Sequence, residues 1–418
     1  MGYKNMNDSN GKIKSRDSKI IWILIGVLIL ILTNFATYII GTRMPIKGTR
    51  RISEKTYENL VQFNKLFIVK ENLNHFYDGK IDEEALVDGA IKGMTESLKD
   101  PYTVYMNAKE FKEFSTETEG NYVGLGLQVA VKDDKVVVIA PFEDSPAKKA
   151  GILSGDIIEK VDGKEVTGKE YEKAVAMMRG EKNTYVTLTI TREGKGTFDV
   201  KVKREEITLT TVTGEMIDNG IGYVQITMFD EHTDEQFNKV TKDLKKKGMK
   251  AMVLDLRQNP GGWLTQSINI TSQFVPKDKV IVSTEDKNGN KEEYKSKGGD
   301  LIGMPLVVLT DGGTASASEI FSGAIRDYNL GTLVGENTFG KGIVQSVLYE
   351  KKYGFGDGTA LKVTTSKYYT PKGENIHHKG IKPNIEVKYP KELSEKPYDK
   401  KTDPQFIKAL EVIKEKVK

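Results

Sequence analysis

Ser316 and Lys341 are the two side chains whose type and setting suit covalent chemistry. The chain has no cysteine and four histidines, which removes thiolate nucleophiles, disulfides and thiolate zinc sites. His377 and His378 lie in a polar, glycine-flanked loop and His75 and His232 flank helical patterns, so surface or capping roles suit them better than a Ser-His-Asp triad. Ser316 sits in DGGTASASEIF, 311–321, where an apolar strand ends, glycines turn the chain and small residues enter a helix. Free amides and the positive end of the dipole there favour developing negative charge, although a plain N-cap is the commoner job for a residue placed like Ser316 or Thr314.

A serine needs a base, and Lys341 in TFGKGIVQSVLYE is set in sequence that reads as buried. Desolvation lowers a lysine pKa from about 10.4 toward neutrality, and a shift of roughly three units costs about 4 kcal/mol. Gln345, four residues on, shares the lysine's face if GIVQSV is a strand, where its amide oxygen orients the amine. An acidic residue in that place would hold the lysine charged. In LDLRQNPGGWL, 254–264, Gly261 and Gly262 permit an outward-pointing amide that pairs with the amide of Ala317 as an oxyanion donor. On spacing alone, an ordinary tight turn is equally well described.

A separate stretch reads as a peptide-binding module. Gly124, Leu125, Gly126 and Leu127 form a loop whose amides converge on an anion beside a strand edge that accepts an extended peptide. The segment SPAKKAGILSGDIIEKVDG follows at 145–163. The ensemble resembles a PDZ domain, and the resemblance implies a groove between a strand and a helix expected over 169–179, with Leu127, Val129, Val175 and Met178 as candidate walls for a ligand side chain, although each would equally suit a core.

Two rival patterns share these residues. GENTFGKG, 335–342, with AMVLD, 251–255, approaches a P-loop nucleotide site, but Gly342 stands where a magnesium-binding hydroxyl belongs and a strand pattern follows where a helix is needed. Ser145 and Lys148 spell SxxK without the accompanying SDN and KTG elements.

The elements needed to hold these groups in place follow from periodicity. Tyr57–Met94 reads as two helices and the chain from Gly120 as short valine- and glycine-rich strands. From Ile207 helices and strands alternate: a helix over Thr233–Lys247 with Thr233 and Gln236 as a capping box, strands over 251–257 and 304–310, a helix over Ser316–Tyr328, a strand over 331–335 and an amphipathic helix over Asp403–Lys416. Ile20–Ile40 carries no charge over twenty-one residues, enough at about 1.5 Å per residue to span a hydrocarbon core of about 30 Å. Basic residues flank it almost equally on both sides, so orientation is weakly determined, with export of the body the expectation. Among 418 residues, 63 basic side chains against 59 acidic give a net charge of +4, too thin a field for nucleic acid.

Taken in order, LRQNPGG, TASASEIF, TFGKGIVQ, LKVTTSKYYTPKG and GIKPNIEV, behind a PDZ-like module at about 120–204, resemble the carboxyl-terminal processing peptidases, or tail-specific proteases. The resemblance implies Ser316 as nucleophile, Lys341 as general base, Gln345 as the residue positioning the lysine, and Ala317 with Gly261 and Gly262 around the oxyanion. It also implies binding of protein C-terminal tails, no metal or cofactor, and a possible homodimer through terminal helices. The expected division is an N-terminal tail at 1–19, a transmembrane helix at 20–40, a helical region at 41–115, a PDZ-like β-rich domain at 116–205 inserted ahead of an α/β serine-lysine peptidase core at 206–388, and a helical segment at 389–418. A membrane-tethered scaffold that binds tails without cutting them is the second reading.

Overall fold

The computed structural model describes residues 10–43, 52–142, 144–218, 220–394 and 397–417. The chain forms two compact units, 1–90 and 91–418. In the first, a helix runs Asn10–Arg43, and its stretch Ser18–Gly41 is long and apolar enough to cross a membrane by length and composition. The expected pair of helices after it is a set of three, Glu54–Gln62, Asn64–Phe76 and Glu83–Glu96. At Phe63 the backbone leaves helical geometry (φ −92°, ψ 5°) and divides the first expected helix in two.

In the second unit a six-stranded sheet runs in the order Val212–Asp218, Ile221–Ile226, Ala251–Asp255, Leu306–Thr310, Thr332–Gly335, Ile385–Glu386. The first pair is antiparallel and the others are parallel. Side chains alternate between two separate cores. Met252, Leu254, Leu306 and Val308 face the helices Thr233–Lys246, Leu264–Ser272 and Ala317–Asp327, while Ala251, Val253, Val307 and Leu309 face the C-terminal helix Pro404–Val417. Burial on both faces is why these strands read as unbroken apolar runs.

The expected capping box of Thr233 and Gln236 does not form. Gln236 instead accepts from the amides of Thr211 and Val212 and donates to the carbonyl of Leu209, and the Thr233 hydroxyl meets that of Thr211. Both side chains are spent tying the helix to the chain that enters the sheet.

Arg257, just past the strand Ala251–Asp255, holds the C-terminal helix. It donates to Asp255, to Asp403 at 2.7 Å, to Gln405 at 3.0 Å and to the Tyr398 hydroxyl. Asp403 in turn accepts the amides of Gln405 and Phe406 at the helix start. Asp255 and Asp403 are buried, so Arg257→Ala strands two carboxylates and should cost about 3–5 kcal/mol, read as a lower urea midpoint.

A second sheet joins Val280–Asp286, Lys291–Lys295, Ile343–Leu348, Ala360–Tyr369 and the short strand Val104–Met106. The β-rich module has its own core and a sheet ordered Leu127–Lys132, Lys135–Pro141, Ile157–Val161, Tyr185–Arg192, Gly196–Lys203. It joins the rest through one antiparallel pair, Asn121–Gly124 with Glu205–Thr208. Among the described residues, Leu127–Lys132 pairs on one side alone and leaves an open edge. Architecturally this is an α/β core with a β-rich insertion and helical termini.

Candidate active site

Ser316 has φ 54° and ψ −114°, a conformation that costs a non-glycine residue of order 1–3 kcal/mol and is kept where surroundings enforce it. The enforcement is visible. Thr314 donates to the carbonyl of Leu256, and the amide of Ala315 donates to the carbonyl of Asn259, binding the serine turn to the loop after the strand Ala251–Asp255. Tyr368 donates its hydroxyl to the Ser316 carbonyl at 3.3 Å. The turn lifts Ser316 to half-buried while Ala315 and Ala317 on either side are buried.

Glu319, fully buried, ties the serine to the lysine loop. Its Oε2 accepts the amide of Ser316 at 2.8 Å and that of Lys341 at 2.9 Å, and its Oε1 accepts the amide of Gly340 and the hydroxyl of Thr338. Burial pushes its carboxyl upward against the opposing pull of these donors. Sequence reasoning passed over Glu319, although the spacing Ser316-x-x-Glu319 is a capping-box signal.

Lys341 is half-buried, and its Nζ lies 5.0 Å from the centroid of the Tyr102 ring. It enters no ion pair among the described residues. Burial, then the Lys362 cation, push its pKa down, while Glu319 and Asp100 oppose the shift. Gln345 does lie on a strand, Ile343–Leu348, but the register slips between Val344 and Gln345, and its Nε2 donates to the backbone carbonyl of Tyr102 at 2.7 Å. No hydrogen bond joins it to Lys341 among the described residues, nor Ser316 Oγ to Lys341 Nζ.

The two glycines differ. A Cβ on Gly261 would lie 2.6 Å from the Ala315 carbonyl and 2.8 Å from the Ala317 amide nitrogen, so only glycine lets this loop back onto the serine turn. The Gly261 amide is committed to Asn259 Oδ1 at 2.9 Å, which takes it out of the expected set of oxyanion donors. The amides of Gly262 and Ala317 donate to no acceptor among the described residues, and Gly262 is exposed. His377 also departs from expectation: it is half-buried beside Tyr102, with ring centroids 6.3 Å apart, and burial lowers its pKa.

In the β-rich module a cavity of about 70 Å³ is lined by Gly124, Leu125, Gly126, Leu127, Val129, Val175 and Met178, all expected, and by Tyr122 and Arg179, which were not. The helix behind it is Tyr171–Met178, and the buried Arg204 caps its end by donating to the carbonyls of Met177 and Met178. Arg179 lies 5.3 Å over the Tyr122 ring at the cavity. Ser145 opens the short helix Pro146–Lys149 as its N-cap, and a strand follows Gly342, so both rival patterns have structural roles.

Fold and site together present an α/β core with a strained, half-buried serine and a β-rich module with its own groove. Sequence models agree: that of Peptidase family S41 matches residues 220–387, that of the PDZ domain 123–203, and that of the activating protease CtpB N-terminal domain 35–110. The chain is 44% identical over 329 residues to carboxy-terminal processing protease CtpA of Bacillus subtilis (strain 168), covering 79% of this chain and 70% of that protein. It is 39% identical over 331 residues to CtpB of the same strain, covering 78% and 68%. A putative S41 protease from Bacteroides fragilis shares the fold, with a TM-score of 0.50 at 17% identity over 77% of this chain and 90% of that one. The chain belongs to the CtpA/CtpB-like carboxy-terminal processing peptidases, serine-type endopeptidases with a PDZ domain.

Proposed function

We propose that this chain is a membrane-anchored endopeptidase that takes hold of protein C-terminal tails in the groove around Gly124–Leu127, Val175 and Met178, and cleaves them with Ser316 and Lys341. The observation carrying this reading is the Glu319 carboxylate, which accepts the backbone amides of both residues beside a lysine whose amine is desolvated and free of any ion pair among the described residues. The tail adds as a strand to the open edge Leu127–Lys132. Neutral Lys341 takes the proton from Ser316 Oγ, which attacks the scissile carbonyl. The amides of Ala317 and Gly262 receive the oxyanion. The lysine ammonium then protonates the leaving amine, and water, deprotonated by the same lysine, releases the acyl group and restores the serine. In this reading Gln345 supports the lysine, and the chain divides into tail, span, helical region, PDZ-like domain, core and terminal helix.

Anchoring rests on the apolar helix Ser18–Gly41, with the body outside the cytoplasm; protease protection in sealed vesicles tests this. The unit before residue 90 exposes Leu60, Val61, Phe67 and Val69 on its helices, which a second copy would cover, and light scattering of the detergent-solubilised chain reads the resulting mass. The central test is incubation with a peptide ending in an apolar residue and a free carboxylate: hydrolysis supports the peptidase, and binding without hydrolysis supports the tethered scaffold. Val175→Glu should weaken tail binding at least about tenfold by placing a charge in an apolar wall, measured by fluorescence anisotropy.

A further inference from the structure

We propose that Tyr102 is a positioning residue for Lys341: its ring face covers the amine, fixes its direction and keeps water from it. The inference rests on Lys341 being the base, and it assigns work to a segment, Asp100–Met106, that lies outside the peptidase core in sequence.

The segment is fastened at several points. The amide of Tyr102 donates to Asp100 Oδ1 at 3.0 Å, and the Thr103 hydroxyl donates to Asp100 Oδ2 at 2.7 Å. The amide of Thr364 donates to Thr103 Oγ1 at 3.1 Å, and Val104–Met106 pairs antiparallel with Ala360–Lys362. Gln345 Nε2 closes the arrangement on the Tyr102 carbonyl. With its backbone held on both sides, the ring stands under Lys341 Nζ at 5.0 Å, within the distance at which a cation and an aromatic face attract. The hydroxyl makes no hydrogen bond among the described residues and the side chain is only half-buried, so neither core packing nor a polar contact accounts for the placement. Gln345 thereby acts on the lysine at one remove, through the carbonyl that sets the ring.

Two opposing effects of the ring decide the sign of the test. Attraction to the π face favours the ammonium, whereas exclusion of water favours the neutral amine. Burial is the largest cause of the lowered Lys341 pKa, so removing the ring returns the amine toward its ordinary value. The other charged groups facing this site are Lys362 on the neighbouring strand, Glu319 on the serine helix, Asp100 on the segment itself and His377 beside the ring. All four stay in place in the variants.

The experiment compares kcat and KM against pH for wild type, Tyr102→Ala, Tyr102→Phe and Lys341→Ala in the full chain, using a peptide with a free apolar C-terminus. Tyr102→Ala should lose about 10- to 100-fold in kcat with KM within about twofold, and its acid limb should move to higher pH. Tyr102→Phe should restore both. Tyr102→Gln, which keeps part of the side-chain bulk without a ring, carries the same expectation if the alanine variant is poorly folded. Wild-type kcat and an unmoved limb in Tyr102→Ala or Tyr102→Gln, with Lys341→Ala inactive, overturn the role of Tyr102 alone. So does a Tyr102→Phe variant as impaired as the alanine one. Activity in Lys341→Ala overturns the base assignment itself.

Discussion

Lys341→Ala should abolish cleavage, with kcat falling by up to about a millionfold, the loss seen when one member of a nucleophile-base pair is removed. Ser316→Ala should fall as far, and the double variant little further, as expected of a proposed pair that acts as one unit. Tail binding survives in all three, since the groove belongs to a separate core. The pH dependence has a defined sign. The proposed base works only when unprotonated, so activity should be lost as pH falls through the Lys341 pKa, which burial and Lys362 hold below the ordinary lysine value. Lys341→Arg keeps the charge at every accessible pH and should be inactive across the whole profile. Substantial turnover by Lys341→Ala, or a profile still rising through the pH of an unperturbed lysine, contradicts the mechanism.

Glu319→Gln should lower kcat about a hundredfold or more. One carboxylate accepts four donors here, from Ser316, Thr338, Gly340 and Lys341. An amide of the same shape offers one acceptor oxygen and sets an NH2 group against donors on the other side. The serine turn and the lysine loop then lose their common tether, and a displacement of about 1 Å suffices for a loss of this size. Tail binding measured in the same preparation reports whether the chain is folded. A Glu319→Gln enzyme within about twofold of wild type, with binding intact, would show that backbone strain at Ser316 and the Thr314 contact position the nucleophile unaided.

Groups whose chemistry depends on immediate neighbours were legible in the one-dimensional text. Ser316 stands out as a candidate because a strand end, glycines and a helix start lie within a few residues of it, and Lys341 because a lone cation in an apolar run is costly wherever it lies. The groove residues Gly124–Leu127, Val175 and Met178 followed from one local module and line one cavity. The Gly261 and Gly262 pair was found, but not which amide is free: that turns on the Asn259 side chain folding back onto Gly261, a rotamer no spacing encodes. The Thr233 and Gln236 motif misled for the same reason, since tertiary partners at Leu209–Val212 outbid the local cap.

By itself, then, the amino-acid order determined the candidate residues for chemistry, the α/β alternation that carries them, the PDZ-like module and the apolar helix ahead of it. Tertiary structure alone decided what surrounds Ser316 and Lys341. Tyr102 reaches Gln345 across 243 residues and Arg257 reaches Asp403 across 146. The terminal helix, amphipathic on paper with no stated partner, settles on the face of the sheet formed by Val253, Val307 and Leu309. Periodicity reports which side of an element is apolar, because that depends on bond geometry within a few residues. Which two distant elements meet depends on register and packing summed over the whole chain, and no short window contains that information.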